Sequence, residues 1–225
     1  MNKRFFMLNA FVALIGAVFF YANSFAEPPN LDLLRQQVIV YHDSGAYQRE
    51  LSQVIGHADN YIVKKAESNA HSAHPLKLAV VLDIDETSLS NYDKMRARGF
   101  ATDLKCIHRD ILRAIDPAIT PTLKLYQDAQ KHKVAVFFIT GRKESERQAT
   151  YSNLQRVGYH DWSGIYFKPK HYHAHSAAVF KTNARAAITK QGYTIIASIG
   201  DQQSDLTGGY ALKTFKLPNP YYYIP

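Results

Sequence analysis

The sequence is poor in cysteine, with Cys106 as its single thiol among 225 residues. This excludes an intrachain disulfide, so the fold must be stabilised by the packing of its apolar residues. Cys106 is also far from the N-terminal processing site predicted below, so it is not positioned to carry a lipid. The surrounding "LKCIH" contains no nucleophile signature, and we expect a half-buried structural cysteine.

Internal repeats, low-complexity tracts and runs of clustered basic residues are also lacking. The chain is 46% hydrophobic and 20% charged, a composition typical of one medium-sized globular domain. Its net charge of +8 suits anionic substrates. Because the basic residues are scattered, a nucleic-acid-binding or membrane-surface protein is a weaker alternative, which a linear dependence of affinity on salt would support.

A long hydrophobic run occurs at the N-terminus. Lys3 and Arg4 precede an apolar stretch that ends in Ser24 and Ala26, the small residues that a signal peptidase recognises. We predict a cleaved signal peptide over residues 1–26 and a periplasmic or secreted protein. An uncleaved membrane anchor is the alternative. Cleavage would remove two basic residues and no acids, which lowers the net charge from +8 to +6.

The mature chain shows helical periodicity first and then an alternation of strands and helices. Residues 31–66 carry an apolar stripe with helical spacing, formed by Leu51, Val54, Ile55, Ala58 and Ile62. Four short apolar runs predict buried strands: "LAVVLDI" (78–84), "VAVFFIT" (134–140), "GIYFK" (164–168) and "TIIASIG" (194–200). Helical segments separate these runs, and the alternation predicts an α/β fold, a Rossmann-like parallel sheet with helices on both faces.

Three parts are predicted within this organisation. Residues 27–74 form an N-terminal helical extension, and residues 75–225 form the α/β core. A small helical cap is inserted at about residues 90–118. The tyrosine-rich end "NPYYYIP" is interpreted as a tail that lies against the core and takes no part in a site.

Polar residues follow the predicted strands where each apolar run ends. Asp83 and Asp85 follow the first strand, Thr140, Gly141 and Arg142 follow the second, and Asp201 and Asp205 follow the last. Ligands of such sheets bind beyond the carboxyl ends of the strands. Because buried carboxylates repel each other, this cluster predicts a cation among them, and Mg²⁺ suits a set of oxygen ligands.

Each of these residue types has a chemical use in phosphoryl transfer. Asp83 can attack phosphorus, and Asp85 can protonate the leaving oxygen and later deprotonate water. The Thr140 hydroxyl and nearby backbone amides can bind phosphoryl oxygens, and a lysine must neutralise their charge. Lys181 and Lys168 are both candidates for that lysine, and we favour Lys181.

The motifs "VVLDIDETSLSN", "FFITGR", the "FK" lysine and "GDQQSDL" occur in an order that resembles the haloacid dehalogenase-like superfamily. The resemblance spans about residues 75–217 and is to the secreted acid phosphatase branch, class B/C, subfamily IIIB, which includes plant vegetative storage proteins. The chain lacks the lipobox cysteine of the lipoprotein members, and Gln203 replaces a residue that is often aromatic.

This resemblance implies an exported, Mg²⁺-dependent acid phosphatase that hydrolyses phosphomonoesters through an aspartyl-phosphate. It implies that Asp83 is phosphorylated and also ligates the metal, and that Asp85 is the acid/base, with its backbone carbonyl in the metal shell. By the same resemblance, Asp201 ligates the metal, and Asp205 orients a water on it. Thr140, Gly141, Arg142 and Lys181 would bind the phosphoryl group. The alternatives are a phosphotransferase and a non-catalytic storage or binding protein.

Two further groups of residues invite competing interpretations. Tyr92 and Phe100, in the predicted cap, could stack on the base of a nucleoside monophosphate, or they could pack in the core. His171, His173 and His175 alternate along the chain and could bind zinc, but a partly solvated basic loop is the favoured interpretation.

Overall fold

The computed structural model describes residues 27–170, 172 and 176–224, and the predicted signal peptide lies outside the described residues. Its sheet contains five strands: β1 (Lys77–Leu82), β2 (Ala135–Lys143), β3 (Gly164–Lys168), β4 (Tyr193–Gly200) and β5 (Lys213–Lys216). They are all parallel and lie in the order β3-β2-β1-β4-β5. Because β1 is central, its carboxyl end lies between those of β2 and β4.

The continuous apolar run of β1 is explained by burial on both faces of the sheet. Leu78, Val80 and Leu82 belong to the larger hydrophobic cluster on one face. Ala79 and Val81, the alternate residues, belong to a smaller cluster on the other face. Successive side chains of a strand point to opposite faces, so a strand covered on both sides has apolar residues at successive positions.

Seven helices surround the sheet in the described part of the chain. They are α1 (Leu31–Asp43), α2 (Ala46–Ala70), α3 (Tyr92–Ala97), α4 (Leu104–Leu112), α5 (Thr120–Lys131), α6 (Arg147–Arg156) and α7 (Ala177–Lys190). Helices α2 and α5 pack on the face with the larger cluster, and α7 packs on the opposite face. This confirms the predicted Rossmann-like α/β class. No described helix is both long and apolar enough to cross a bilayer.

The N-terminal helical region is divided into two helices. The helical region predicted over residues 31–66 is interrupted at Gly45, whose φ of 77° lies in the left-handed region that glycine tolerates best. The predicted apolar stripe is confirmed in α2, where Leu51, Ile55 and Ile62 are buried against the sheet. By contrast, α1 has no buried residue.

The edge strand β5 is absent from the four strands predicted from apolar runs. Only Phe215 of this four-residue strand is buried, and Lys213, Thr214 and Lys216 are exposed. A short, lysine-rich edge strand blocks pairing with other chains and lacks the apolar signal of a central strand. Strand β5 pairs with the edge of β4 that faces away from β1.

Candidate active site

A tight turn directly after β1 delivers two carboxylates to the middle of the sheet edge. The backbone N–H of Asp83 donates to the carbonyl of Ile199 on β4 at 3.0 Å, so Asp83 still belongs to the sheet. The chain then reverses, and the Ser88 hydroxyl donates to the Asp83 carbonyl at 2.7 Å. Glu86, inside this turn, has a φ of 54°. The turn brings Asp83 and Asp85 to the carboxyl edge of the central strand.

Asp83 forms a buried ion pair with Lys181, which lies in the second turn of α7. The Lys181 Nζ lies 2.8 Å from an Asp83 carboxylate oxygen, and it also donates to Asp205. Burial raises the pKa of Asp83 well above its ordinary value, although the Lys181 charge opposes this shift. Burial would lower the pKa of Lys181, but Asp83 and Asp205 raise it above its ordinary value. Lys181, the favoured of the two candidate lysines, is thus the one in contact with Asp83.

Asp201 and Asp205 follow β4 and complete a cluster of three buried carboxylates with Asp83. One oxygen from each residue lies within 4.8 Å of the other two. Burial and the neighbouring Asp205 charge raise the pKa of Asp201. Gly200 permits the close approach, because a Cβ at this position would lie 2.3 Å from the Asp205 side chain.

The composition of this cluster fits a divalent metal ion. Three carboxylates face one ammonium group, so ionisation of all three leaves negative charge that Lys181 alone does not balance. The available donors are carboxylate oxygens, which Mg²⁺ prefers over nitrogen and sulfur. The residues present therefore fit the cation that their spacing in the sequence predicts.

Asp85 lies two residues after Asp83 but has a different environment. The Arg142 guanidinium donates to both Asp85 oxygens, with the shortest contact at 2.7 Å. Burial would raise the pKa of Asp85, but the Arg142 charge and hydrogen bonds from Arg142 and Asn91 hold it below its ordinary value. The Asp85 carboxylate is not part of the three-carboxylate cluster, and the metal contact of Asp85 through its backbone carbonyl stays a prediction.

The C-terminal part of β2, the strand beside β1, contributes a hydroxyl and a buried guanidinium. Thr140 is fully buried, and its hydroxyl oxygen accepts the backbone N–H of Arg142 at 3.1 Å. Gly141 and Arg142 line the cavity described below, whereas Thr140 does not. The Arg142 guanidinium, predicted to bind the phosphoryl group, is already paired with Asp85 and with Asp116.

A cavity of about 330 Å³ opens above these side chains. Asp83, Asp85 and Lys181 line it from the sheet edge, and residues of α3 and α4 line it from the other side. The C-terminal segment 221–224 also lines the cavity, so the interpretation of the tyrosine-rich tail as outside any site is wrong. The tail does lie against the core, since Tyr221 and Leu217 are buried.

The C-terminal tail forms direct hydrogen bonds to buried carboxylates of the site. Asn219 donates its side-chain N–H to Asp201 at 2.6 Å, and the Tyr222 hydroxyl donates to Glu86 at 3.1 Å. Neither residue lies within a recognised motif. The signal that could have identified them is only their position after the last strand, where the chain returns over the carboxyl edge of the sheet.

Two buried acids near the site were not predicted to have a role. Glu86 accepts hydrogen bonds from Asn91 and Tyr222, and burial together with the Asp85 charge raises its pKa to about 8. Asp116 is fully buried and accepts hydrogen bonds from Lys94 at 2.5 Å and Arg142 at 3.4 Å. Asp116 thereby binds the same Arg142 guanidinium that binds Asp85.

The remaining candidate residues are separated by the structure. Phe100 lines the cavity, but Tyr92 is buried outside it, where its hydroxyl donates to Asp43, as core packing predicts. Cys106 is half-buried and accepts a hydrogen bond from Arg109. His171, His173 and His175, the residues of the zinc hypothesis, lie outside the described residues.

The fold and this edge of the sheet define a class of protein. A Rossmann-like domain with two aspartates after its central strand, a lysine on a later helix and an acid pair after the fourth strand is the arrangement expected of the haloacid dehalogenase-like superfamily. A family model described as HAD superfamily, subfamily IIIB (acid phosphatase) matches residues 29–225. The chain belongs to this family.

Individual relatives agree with this assignment. The chain is 37% identical to acid phosphatase 1 of Solanum lycopersicum over 148 residues, which cover 64% of this chain and 58% of that protein. It is 30% identical to vegetative storage protein 1 of Arabidopsis thaliana over 149 residues, 64% of this chain and 55% of that one. The chain thus spans a little over half the length of these relatives.

A solved structure shares the fold. The class C acid phosphatase from Bacillus anthracis superposes with a TM-score of 0.65 and 22% sequence identity, over 85% of this chain and 86% of that chain. At this identity the likeness concerns the fold.

Proposed function

We propose that this protein is a Mg²⁺-dependent acid phosphatase that hydrolyses phosphomonoesters through an aspartyl-phosphate at Asp83. The observation that carries the proposal is the buried contact of 2.8 Å between Asp83 and Lys181 at the floor of the cavity. It pairs a candidate nucleophile with a cation that can bind the phosphoryl oxygens. The family membership and the acid phosphatase among the relatives support the same class of reaction.

In the first step, an Asp83 carboxylate oxygen attacks the phosphorus of the ester. The bond between phosphorus and the ester oxygen breaks, and the departing alcohol takes a proton from the Asp85 carboxyl group. The product is an acyl phosphate on Asp83. Lys181 is placed to stabilise the charge of the phosphoryl oxygens, since its ammonium group already contacts Asp83.

In the second step, water attacks the phosphorus and breaks its bond to the Asp83 oxygen. Asp85, now ionised, accepts a proton from this water, and inorganic phosphate leaves while the Asp83 carboxylate is restored. Arg142 favours this role, because its hydrogen bonds stabilise the ionised form of Asp85. Asp85 acts first as an acid and then as a base, so over one turnover it regains the proton that it donated.

Asp83, Asp201 and Asp205 are the side chains that would hold Mg²⁺. When bound, the ion would supply positive charge that offsets the repulsion between these carboxylates and the phosphoryl group. Thr87 and Asn219 keep Asp201 oriented toward the cluster, with hydrogen bonds to its carboxylate of 3.1 and 2.6 Å. Magnesium is proposed because the donor set is all oxygen.

An acidic pH optimum is consistent with the environment of Asp85. Its pKa lies below the ordinary value because Arg142 stabilises the carboxylate against the effect of burial. Proton donation to the leaving alcohol requires the protonated form, which becomes more populated as the pH falls. The first step should therefore gain from acidic conditions, although the second step needs the carboxylate.

The cavity also indicates what kind of ester is bound. We propose that residues 90–118 act as a cap, with α3 and α4 facing the sheet edge across the cavity. Phe100 and Tyr221 lie with centroids 6.0 Å apart and planes 6° apart, and both line the cavity. They offer an apolar aromatic wall to a nucleoside monophosphate. Export through a cleaved N-terminal signal peptide remains part of the proposal.

The proposed activity is tested by phosphate release from p-nitrophenyl phosphate and from nucleoside monophosphates. The assay compares added Mg²⁺ with a chelator, and the wild-type protein with the Asp83→Asn variant. Asp32→Asn is the matched control, because Asp32 is an exposed aspartate of α1 far along the chain from the site. We expect metal-dependent turnover that Asp83→Asn abolishes and Asp32→Asn retains. Equal turnover by all three proteins would refute the role of Asp83.

Two other functions share this scaffold and are separated by the same assay. The vegetative storage protein among the relatives favours a non-catalytic storage or binding function as the alternative. That function predicts no turnover by any variant. A phosphotransferase would transfer the phosphoryl group from Asp83 to an added alcohol in place of water, so its product would be a new phosphate ester.

A further inference from the structure

The cations that line the cavity differ in whether a carboxylate neutralises them. Lys181 is paired with Asp83 and Asp205, and Arg142 is paired with Asp85 and Asp116. Three more cavity-lining basic residues, all from the proposed cap, also contact a carboxylate: Lys94 contacts Asp116, Arg98 contacts Asp110, and His108 contacts Glu146.

Lys143 and Lys168 line the same cavity, and neither ammonium group forms a salt bridge with a carboxylate of the described residues, although the backbone N–H of Lys143 donates to Glu146 at 2.6 Å. The residues outside the described part include no aspartate or glutamate, so they cannot supply a side-chain carboxylate. The two lysines are register partners at the carboxyl ends of the adjacent strands β2 and β3. Two lysines without a salt-bridge partner therefore occupy neighbouring backbone positions at one wall of the cavity.

These lysines are distinct from the group that neutralises the reacting phosphate. Lys181 comes from α7 and contacts Asp83 directly, whereas Lys168 forms no hydrogen bond to that carboxylate. Lys168 is half-buried and Lys143 is exposed, so their ammonium groups keep access to solvent and to a ligand in the cavity. Adjacent lysines repel each other, and an anion between them would relieve that repulsion.

We propose that Lys143 and Lys168 form a second anion-binding subsite, which selects phosphomonoesters that carry a second phosphoryl group. The ester phosphate would lie at Asp83 and Lys181, and the second phosphoryl group would lie at the wall formed by the ends of β2 and β3. This inference rests on the proposed phosphatase function, because it names the class of substrate for the same cavity. It involves binding alone, so the chemistry at Asp83 is unchanged.

The test compares matched ligands that differ by one phosphoryl group: fructose 6-phosphate against fructose 1,6-bisphosphate, and adenosine 5′-monophosphate against adenosine 3′,5′-bisphosphate. Calorimetry on the Asp83→Asn protein measures binding without turnover. The subsite variant is Lys143→Met/Lys168→Met. The control for the loss of a positive charge is Lys190→Met, because Lys190 is an exposed lysine at the C-terminal end of α7.

We expect the bisphosphate of at least one pair to bind about tenfold more tightly than its monophosphate, since two charge-assisted contacts are added. That preference should fall to near unity in the double variant and persist in Lys190→Met. No preference in either pair, an unchanged preference in the double variant, or equal loss of affinity for both members of each pair would overturn the subsite. The last result would mean general attraction of anions.

Kinetics of the wild-type protein separate this inference from the proposed function. Turnover of p-nitrophenyl phosphate reports the phosphatase activity alone, because that ester has no second phosphoryl group. If turnover is absent, the proposed function fails, and the calorimetric ratio still decides whether the subsite exists. If turnover is present and the ratio is near unity, the subsite fails and the phosphatase stands.

Discussion

Asp83 and Asp85, two positions apart after the same strand, belong to electrostatically different regions. The Asp83 region contains three carboxylates and the ammonium group of Lys181, so it has an excess of negative charge. The Asp85 region combines Asp85 and Asp116 with Arg142 and Lys94, two acids with two bases. The pKa of Asp83 is raised, mainly by burial, and that of Asp85 is lowered.

The difference shows that neighbours decide what a buried carboxylate can do. The acid-rich region can accept a cation and a nucleophilic role, because its remaining charge is not yet balanced. The balanced region needs no further cation, and its guanidinium holds the Asp85 carboxylate in a defined orientation, as the proposed proton transfer requires. Sequence spacing alone does not distinguish the two aspartates.

The largest effect should come from removing the single cation of the acid-rich region. Lys181→Met deletes the ammonium group that contacts Asp83, and we expect kcat to fall by about 10²- to 10³-fold, as for loss of one preorganised donor. Lys190→Met, on the same helix, should retain wild-type kcat. Steady-state kinetics with p-nitrophenyl phosphate measure both, and retention of activity in Lys181→Met would contradict the assignment.

Glu86, which lies between the two regions, should make stability depend on pH. Its pKa is raised by burial and the Asp85 charge to about 8, from an ordinary value of 4.5. The folded state therefore holds a proton that the unfolded state has lost, and raising the pH from about 4.5 to about 8 should reduce the free energy of unfolding. The loss should be on the order of a few kcal/mol.

The Glu86→Gln variant isolates this effect, because the amide keeps the shape and does not titrate. Denaturant unfolding across that pH range, in the presence of a chelator, gives the free energy of unfolding of both proteins. Wild-type stability should decline with pH relative to the variant and become parallel to it above about pH 8. Parallel curves throughout would show that Glu86 has an ordinary pKa.

Binding of Mg²⁺ should stabilise only through the acid-rich region. At an ion concentration about 100-fold above its Kd, we expect a gain of about 2.7 kcal/mol, which corresponds to several degrees in Tm. Asp201→Asn should remove this gain, because Asp201 belongs to the three-carboxylate cluster. Asp116→Asn, from the balanced region, should keep it. Thermal unfolding with and without Mg²⁺ makes the comparison, and equal gains in both variants would contradict it.

The smallest effect that we expect is a shift in the pH profile of kcat/KM when Arg142 of the balanced region is replaced. Arg142→Gln removes the charge and hydrogen bonds that lower the pKa of Asp85. The pKa of Asp85 should rise, so the decline of kcat/KM as this acid loses its proton should move to higher pH. A profile of unchanged position, at whatever reduced rate, would mean that Asp85 is not the proton donor.

Most of the sheet and the acid-rich region could be predicted from the sequence, because their signals are local. Buried parallel strands are continuous apolar runs, and the acids follow directly where the runs end. The edge strand β5 gave no such signal, since lysines flank its one buried side chain, Phe215. The interruption of the helical region at Gly45 could not be predicted, because the apolar periodicity of α2 dominates the pattern of residues 31–66.

The parts of the site that escaped prediction depend on contacts between distant segments. Asn219 reaches Asp201 only because the chain after β5 returns over the edge of the sheet. Asp116 pairs with Arg142 across the fold, and nothing in the local "IDPAI" distinguishes it from a turn residue. Arg142 was predicted to bind the substrate, but whether its charge is available depends on these tertiary partners.

The central claim is that Asp83 is the residue that becomes phosphorylated. The most direct test is to quench the protein in acid during turnover of a ³²P-labelled ester and map the labelled peptide. We expect acid-stable label in the segment between Lys77 and Lys94, absent in Asp83→Asn and present in Asp85→Asn. Label on another segment, or turnover with label retained in Asp83→Asn, would contradict it.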